Sequence, residues 1–338
     1  MSPTSTEPVS TLPPPPPPPP PRPGRRRSPR RAAWTVVRWI HILALLVVIP
    51  VGLAFGLEGA GGIVALFVII TPFEKLFRRH DQPIRRPGLR TDLTYALISP
   101  VLNIAGIVLG IVIALVAFPI WLPALLLRPI VTSQPGWLVA TEAAVLLDIL
   151  IYWTHRLSHE IGFFWRFHSI HHSSAKMDWI SGIRAHPFDG AIIVVPVVFL
   201  AAAGFQIEVV GALAVIQAVL GLMAHANVRW RFRPLHRIVM TPEFHHWHHA
   251  DYPDSIHTNY SVFLPVWDMI WGTYFMPKDR RPEVYGCREP IPTHIPGQML
   301  FPFRPDIRRR YPFPPEWRNR IAALKRFVPF RRRKVVAF

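Results

Sequence analysis

The chain alternates long apolar stretches with short charged ones, and the apolar stretches have the length of helices rather than strands. They are Ile40–Leu57, Ile63–Ile70, Leu93–Leu127, Trp137–Trp153, Ala191–Ala203 and Val209–Ala224. The glycine-rich turn Gly59–Gly62 joins the first two as a helical hairpin, whose second arm continues to about Phe77. A membrane-spanning helix needs about 20 apolar residues. The pattern predicts an all-α, polytopic membrane helical bundle with four to six membrane segments.

Composition supports a membrane protein with a sizeable core. Of the 338 residues, 50% are hydrophobic and 17% are charged, against about 25% charged in soluble domains. This balance excludes collagen-like, disulfide-stapled and wholly disordered chains, and disfavours the alternative of buried helices in a large soluble enzyme. The single cysteine, Cys287, excludes an intramolecular disulfide and a cysteine-based metal site.

The net charge of +18 needs a partner of opposite sign, and nucleic acid and anionic lipid are the usual candidates. The apolar segments favour lipid, so no nucleic-acid partner is expected. Basic residues cluster in Arg22–Arg31 and Lys75–Arg90, whereas the loop after the third segment carries only Arg128. The positive-inside rule places both clusters in the cytoplasm. His155 and everything from Asn227 onward are then cytoplasmic as well.

Three regions are expected along the chain. Residues 1–31, with the run Pro13–Pro21, predict a disordered tail rich in proline and arginine. Residues 32–276 form the membrane domain. Residues 277–338 are predicted to be a basic cytoplasmic tail, which attracts anionic lipid headgroups because basic clusters beside apolar helices do so.

Thirteen of the 16 histidines lie between His155 and His257, far more than uniform scatter would place there. His155 and His159 are four residues apart at the end of an apolar helix, which puts both rings on one face. The pattern H-x-x-H-H then occurs twice. The motif positions offer nine imidazoles: His155, His159, His168, His171, His172, His225, His245, His248 and His249. Nine ligands exceed one site but suit two adjacent metals, and imidazole suits Fe, Zn, Cu and Ni.

Metal-bound histidines need their other ring nitrogen held by a carboxylate, carbonyl or water. Asp148 lies two helical turns before His155 on the same face, and a charge inside an apolar segment is by default a functional-site hypothesis. A hydrogen bond between helices is the alternative for this residue. Further candidates for supporting a ligand are Asp178, Asp189, Asn227 and Asp251.

Several ordered motifs occur together over about residues 90–276. They are Asp148–His159, Arg166–Ser174, Arg184–Gly190, His225–Asn227, Thr241–His249, Asn259–Tyr260 and Trp267–Thr273. This series resembles the fatty acid hydroxylase/sterol desaturase superfamily of membrane di-iron enzymes. The resemblance implies a helical membrane domain with a cytoplasmic, histidine-rich helical cap. It also implies two Fe ions that use O₂ to hydroxylate or desaturate a lipid.

Carried over by position, the resemblance assigns the nine histidines as ligands and places His186 in the wall of the site or behind a ligand. His236, His246 and His257 receive no role. The aromatic residues that could line a substrate slot, or anchor the protein at the membrane interface, are Trp153, Trp165, Trp179, Trp247 and Tyr260. The sequence contains no haem or flavin motif, so electrons are expected from a separate reductase or small carrier.

Other functions remain open at this point. The same fold could cleave an ether lipid or hydroxylate a carotenoid-like substrate. A histidine-rich metal sensor or transporter is the alternative of another class. Transporters place their binding residues along the spans near the bilayer midplane, and these histidines follow the spans instead, which disfavours transport.

Overall fold

A computed structural model describes residues 60–83 and 85–311, and this part of the chain is helical. Its helices are α1 (Ala60–Leu76), α2 (Leu89–Val116), α3 (Phe118–Thr132), α4 (Gly136–Glu160), α5 (Gly162–His168), α6 (Pro187–Ala202), α7 (Ile207–Ala224), α8 (Pro242–His248), α9 (Val266–Ile270), α10 (Ile295–Leu300) and α11 (Pro305–Arg310). Within these residues β-pairing is limited to two isolated bridges. The predicted all-α fold is confirmed.

Two of the described helices, α4 and α7, are long and apolar enough to cross a membrane. Helix α2 bends by 60° between Ser99 and Val101, and it is a third candidate membrane span if its two halves form one span. Pro100 lies at the bend, and proline removes a helical hydrogen bond and clashes with the preceding turn. The segment Ile40–Leu57 lies outside the described residues, so the count of four to six membrane segments stays a prediction.

The apolar stretch Leu93–Leu127 forms two helices rather than one. Helix α2 ends at Val116, and α3 starts with a proline at its second position, where the missing N–H costs nothing. Helix α2 packs closely against α6 through two glycines. A Cβ on Gly106 would lie 3.0 Å from the Pro187 carbonyl oxygen, and one on Gly110 would lie 2.6 Å from the Val194 Cβ. Small residues of this kind allow close approach of helices in membranes.

The apolar core lies between α4, α6 and α7, around Ala143, Leu147, Leu200 and Val210, all fully buried. Helix α2 instead exposes a row of large apolar side chains, among them Ile107, Val108 and Ile111. An exposed apolar surface of this extent is typical of contact with lipid. Helix α4 continues beyond its apolar part to Glu160, and so carries the first histidines out of the core.

Part of the region that the sequence predicts as a basic tail is folded. Residues 295–310 form α10 and α11, and their side chains Phe301 and Ile307 are buried together with Tyr95 of α2 and Ile170. Gln298 accepts a hydrogen bond from the Tyr95 hydroxyl at 2.7 Å. These contacts hold α10 and α11 against the start of α2, close to the histidine-bearing loops.

Candidate metal centre

The nine histidines of the motifs converge into two groups. Their ring nitrogens lie within 4.8 Å of one another in each group. The five-histidine group is His155, His159, His168, His172 and His248, and the four-histidine group is His171, His225, His245 and His249. Among the described residues, neither group contains a carboxylate or a thiol. The donor set is therefore imidazole alone, which suits iron and other first-row transition metals.

The two His–His pairs connect the groups. His172 and His248 belong to the five-histidine group, while their chain neighbours His171 and His249 belong to the four-histidine group. The rings of His172 and His249 stack at a centroid distance of 4.0 Å. Each H-x-x-H-H motif thus supplies ligands to both groups, which places the two candidate metal positions side by side.

Backbone carbonyls orient the rings of the five-histidine group. The Nδ1 of His155 lies 2.6 Å from the Tyr260 carbonyl oxygen, and the Nδ1 of His248 lies 2.9 Å from that of Thr258. A carbonyl only accepts, so in each neutral ring Nδ1 carries the hydrogen and Nε2 keeps a free lone pair. Both rings are therefore held in the tautomer that binds a metal through Nε2.

Backbone carbonyls also orient rings of the four-histidine group. The Nδ1 of His171 donates to the Arg184 carbonyl at 3.0 Å, and the Nδ1 of His225 donates to the Gly221 carbonyl at 2.7 Å. Arg184 is itself fixed, because its guanidinium is ion-paired with the buried Asp92. The loop that carries His171 is thereby attached to the start of α2.

His168 has a carboxylate behind it. Both oxygens of Asp189 lie 3.0 Å from its Nδ1, so Nδ1 donates and Nε2 again faces the group. Asp189 is in the first turn of α6, whose start is capped by the His186 ring accepting from the Phe188 N–H at 3.1 Å. The arrangement is the carboxylate–histidine pairing that strengthens and orients metal ligands.

The inward-facing nitrogens lack hydrogen-bond partners within the described residues. In the five-histidine group, the Nε2 atoms of His159, His168, His172 and His248 are buried without one. An unsatisfied buried polar atom is costly, and four of them facing one space fit a bound cation.

In the four-histidine group, the Nε2 atoms face one another at close range. The Nε2 of His225 lies 3.0 Å from that of His249, 3.2 Å from that of His245 and 3.3 Å from that of His171. Because the His225 and His171 Nδ1 atoms already donate to carbonyls, their Nε2 atoms present lone pairs to each other. A shared metal ion would remove this repulsion, so the residues fit a metal.

Burial keeps these rings neutral. It lowers the pKa of His171 from 6.5 to about 4, with a further contribution from His168. It also lowers the pKa of His172, His225, His248 and His249 well below the usual range, helped by neighbouring histidines. Metal binding requires neutral imidazole, so at pH 7 these rings are already in the binding form.

Asp148 does not contact the histidine rings through any of its hydrogen bonds. Its Oδ2 accepts from the Trp267 indole N–H at 2.8 Å and from the Leu264 N–H at 3.1 Å, and its Oδ1 accepts from the Gln217 amide at 3.2 Å. The carboxylate thus joins α4 to α7, to α9 and to the segment before α9. Of the two roles considered for Asp148 from the sequence, the structure therefore shows the hydrogen bond between helices. These hydrogen bonds explain why a charged residue stands inside an apolar helix.

Three further polar candidates support the surroundings rather than a ring. Asn227 exchanges hydrogen bonds with the His80 backbone, at 2.9 Å in both directions. Asp178 caps a short 3₁₀ helix and binds the Arg86 guanidinium. Asp251 pairs with an arginine at the surface.

Two of the aromatic candidates face the five-histidine group. The Trp165 ring lies 5.1 Å from that of His159, and the Tyr260 ring lies 5.3 Å from it. Trp153 instead packs against Trp271 at 5.0 Å. The other two candidates contact residues elsewhere: Trp179 donates to Thr71, and Trp247 packs on Phe275.

The histidines without a motif role lie outside both groups. His246 is fully buried, but its Nε2 lies 3.3 Å from the His225 carbonyl oxygen. His236 hydrogen-bonds the Arg231 carbonyl, and His257 adopts a left-handed backbone conformation. His246 therefore lies outside the metal centre, although its chain neighbour His245 belongs to the four-histidine group.

Two supporting residues were missed by the sequence reasoning. Asp268 accepts from the N–H groups of Tyr260 and Ser261, both at 2.8 Å, and so fixes the carbonyl that holds His155. Gly182 lies against His225, where a Cβ would be only 2.7 Å from the ring Nδ1. Asp268 stands in the Trp267–Thr273 motif, which was the available signal for it, whereas no sequence signal pointed to Gly182.

Comparison with known proteins finds a family model that matches the part of the chain carrying this centre. Residues 140–273 match the fatty acid hydroxylase family model, and this stretch carries all nine histidines and Asp268. The motif region is similar to the fatty acid hydroxylase family, and the resemblance seen in the motifs is confirmed. Together with the long apolar helices, this match indicates an integral membrane protein.

Individual relatives include a lipid hydroxylase and a monooxygenase. The chain is 29% identical over 253 residues to ornithine lipid hydroxylase OlsE of Rhizobium tropici, covering 71% of this chain and 72% of the relative. It is 27% identical over 175 residues to alkylglycerol monooxygenase of Danio rerio, covering 49% of this chain and 36% of the relative. Protein CER1-like 1 of Arabidopsis thaliana is 32% identical, over 43% of this chain and 25% of that protein. The chain thus spans only about a third or a quarter of these last two, and no solved structure matches it.

Proposed function

We propose that the protein is a membrane enzyme that uses O₂ to hydroxylate a C–H bond of a lipid, with two irons held by the nine histidines. The observation that carries this proposal is the pair of adjacent, buried histidine groups joined by two His–His pairs. The family match and the lipid hydroxylase and monooxygenase relatives support the reaction class.

The chain's own residues prepare the centre. Carbonyls and Asp189 hold Nδ1–H groups, so that Nε2 lone pairs face inward without reorganisation when metal binds. Bound iron supplies the activation of O₂ that allows an unactivated C–H bond to be attacked. Burial of the rings keeps bulk water from the site, and Trp165 and Tyr260 form an apolar border beside His159.

The reaction needs an electron donor. Hydroxylation puts one oxygen atom into the C–H bond and releases the other as water, which consumes two electrons and two protons. We assign the electrons to a separate reductase or small carrier. We infer that the histidine centre lies at the cytoplasmic side, where such a donor and anionic lipid headgroups are available, because the arginine clusters favour this orientation by the positive-inside rule.

Labelled oxygen tests this function directly. Membranes from cells that express the full chain are supplied with ¹⁸O₂ and reductant, and their lipids are profiled against membranes carrying His248→Ala. A lipid that gains one ¹⁸O atom only with the unaltered chain is expected. His294→Ala is the matched control, because His294 is exposed and lies outside both groups.

The other outcomes discriminate the alternatives. Loss of two hydrogens without ¹⁸O in the lipid would assign desaturation, and an aldehyde with a glycerol fragment would assign ether-lipid cleavage. An unchanged lipid profile with one tightly bound zinc and no O₂ consumption would contradict the enzyme and favour a metal sensor. Turnover that survives His248→Ala would contradict the ligand assignment.

A further inference from the structure

A pocket of about 830 Å³ opens between α2, α5, the start of α6 and α11. Phe163, Phe167, Phe188 and Phe303 form one wall. Phe167 stacks on Phe188 at 4.2 Å and meets Phe303 edge-on at 5.7 Å. The volume falls within the range of small-molecule sites, roughly 300–1,000 Å³, and the wall suits an apolar chain.

Three arginines line the same pocket: Arg166, Arg308 and Arg309. Arg308 and Arg309 are exposed on α11, whereas Arg166 is 5% exposed and stacks over the Phe163 ring at 4.5 Å. Arg166 donates to the Pro302 carbonyl. Within residues 60–83 and 85–311, ion pairs with a carboxylate are absent for all three. The pocket therefore combines an apolar wall with uncompensated positive charge, and burial together with Arg308 lowers the pKa of Arg166.

The pocket opens next to exposed apolar side chains of α2. Leu109 of α2 lines it, and Val112 and Val116, three and seven residues further along the same helix face, are 50% and 80% exposed. A free anion needs no apolar wall and no access from lipid. A molecule with an acyl chain and an anionic headgroup uses both features.

We propose that this pocket binds a phosphate-bearing anionic lipid, with its phosphate at Arg166, Arg308 and Arg309 and its chain along the phenylalanine wall. Arginine suits phosphate because its planar fork donates two parallel hydrogen bonds. The inference rests on the proposed function only in taking this lipid as the substrate, and binding itself can be tested without turnover.

Residues of the pocket wall are chain neighbours of residues of the metal centre in α5 and α6. Phe167 directly precedes the ligand His168, and Phe188 directly precedes Asp189, which holds that ligand at 3.0 Å. The wall residues Phe167 and Phe188 therefore stand on the same two helices, α5 and α6, as His168 and Asp189. The arrangement assigns the pocket as the headgroup end of the substrate site.

Native mass spectrometry of the full chain in detergent tests the site, with dioleoylphosphatidic acid as the probe and dioleoylphosphatidylcholine as the neutral-headgroup comparison. Replacing both exposed arginines, Arg308→Gln with Arg309→Gln, is expected to weaken phosphatidic acid binding about 30-fold. Arg310→Gln is the matched control, because it removes the same charge from the same helix but does not line the pocket. It is expected to bind as the unaltered chain does.

Further variants separate a lipid from a free anion. Phe303→Ala removes an exposed part of the wall and is expected to weaken lipid binding while leaving iron content unchanged. Arg166→Gln is expected to weaken phosphatidic acid binding about tenfold. Unaltered affinity in the double arginine variant, or an equal loss in Arg310→Gln, would overturn the proposal. Displacement of the lipid by an equal concentration of inorganic phosphate would overturn it as well, in favour of a soluble anion.

The same assay on His248→Ala separates this inference from the proposed function. This variant lacks a proposed metal ligand but keeps every pocket residue, so it should bind phosphatidic acid as the unaltered chain does. Lipid binding without ¹⁸O incorporation by the unaltered chain would refute the enzyme and leave the site standing. Incorporation into lipids with neutral headgroups only would refute the substrate assignment.

Discussion

Replacing Gly182 by alanine should selectively damage the four-histidine group. A Cβ at this position would lie 2.7 Å from the Nδ1, 2.9 Å from the Cγ and 3.1 Å from the Cε1 of His225. Ordinary contact begins at 3.4 Å, so the ring has to move by about 0.7 Å. The neighbour that must give way is a ring already held by the Gly221 carbonyl at 2.7 Å, not the flexible end of a side chain.

A shift of that size exceeds what a metal site tolerates. Metal–ligand distances vary by only about 0.2 Å around their preferred values, and the loss of ring orientation typically costs 10- to 100-fold in affinity. We expect the metal at the four-histidine group to bind about 100-fold more weakly, which corresponds to about 2.7 kcal/mol. The five-histidine group does not contain His225 and should keep its metal.

The weaker metal binding is measured as the iron content per chain after dialysis against a series of chelator concentrations. The unaltered chain should retain two irons at a chelator concentration where Gly182→Ala retains one. Gly221→Ala is the matched control, since nothing lies within 4 Å of its added Cβ and alanine favours the helix by about 1 kcal/mol. Wild-type chelator resistance in Gly182→Ala, or an equal loss in Gly221→Ala, would refute the steric reasoning.

Three further predictions concern the supporting groups. Asp189→Ala should weaken metal binding at the five-histidine group about 10- to 100-fold, whereas Asp189→Asn should retain most of it because its amide oxygen still accepts from His168; equal losses in the chelator assay would contradict this. Asp148→Ala should lower the free energy of unfolding by about 2–3 kcal/mol by leaving the Trp267 indole unpaired, with iron per folded chain unchanged; loss of iron would instead assign the carboxylate to the metal centre. The metal-free protein should lose stability as the pH falls from 6.5 to about 4, because burial lowers the pKa of His171 to about 4 in the folded protein. Between these pH values the unfolded chain binds a proton that the folded chain does not bind, which favours unfolding. A thermal midpoint that does not change between pH 7 and pH 4.5 would contradict this prediction.

The histidines of the centre could be recognised from the sequence because their spacing is local. The spacing of four from His155 to His159 puts both rings on one face of α4, whatever the rest of the chain does. The division into two groups could not be predicted in the same way. His171 begins a 3₁₀ helix after α5, and which way it and His172 point depends on a turn that periodicity does not describe.

The supports of the ligands were mostly beyond sequence reasoning. Every residue has a backbone carbonyl, so the sequence does not show that the carbonyls of Thr258 and Arg184 accept hydrogen bonds from histidine rings. Asp148 was singled out for its charge, but its partners are far away in the chain, with Trp267 119 residues on. Such contacts depend on tertiary packing, whereas Asp189 was found because it stands in a motif.

The helices were predictable in kind but less so in extent. Apolar content predicted a helix over Trp137–Trp153, and α4 contains it with extra turns at its polar end. The break after Val116 and the bend at Pro100 follow from prolines inside an apolar run, whose effect depends on the neighbouring helices. Charge suggested a basic tail over residues 277–338, and within it the buried side chains of Phe301 and Ile307 pack against Tyr95 and Ile170, a contact that charge does not reveal.

Anomalous diffraction at the iron edge, from crystals of the iron-loaded full chain, tests the central claim most directly. The account predicts two iron peaks, one inside the five-histidine group and one inside the four-histidine group. A single peak, or iron bound away from these nine rings, would contradict it.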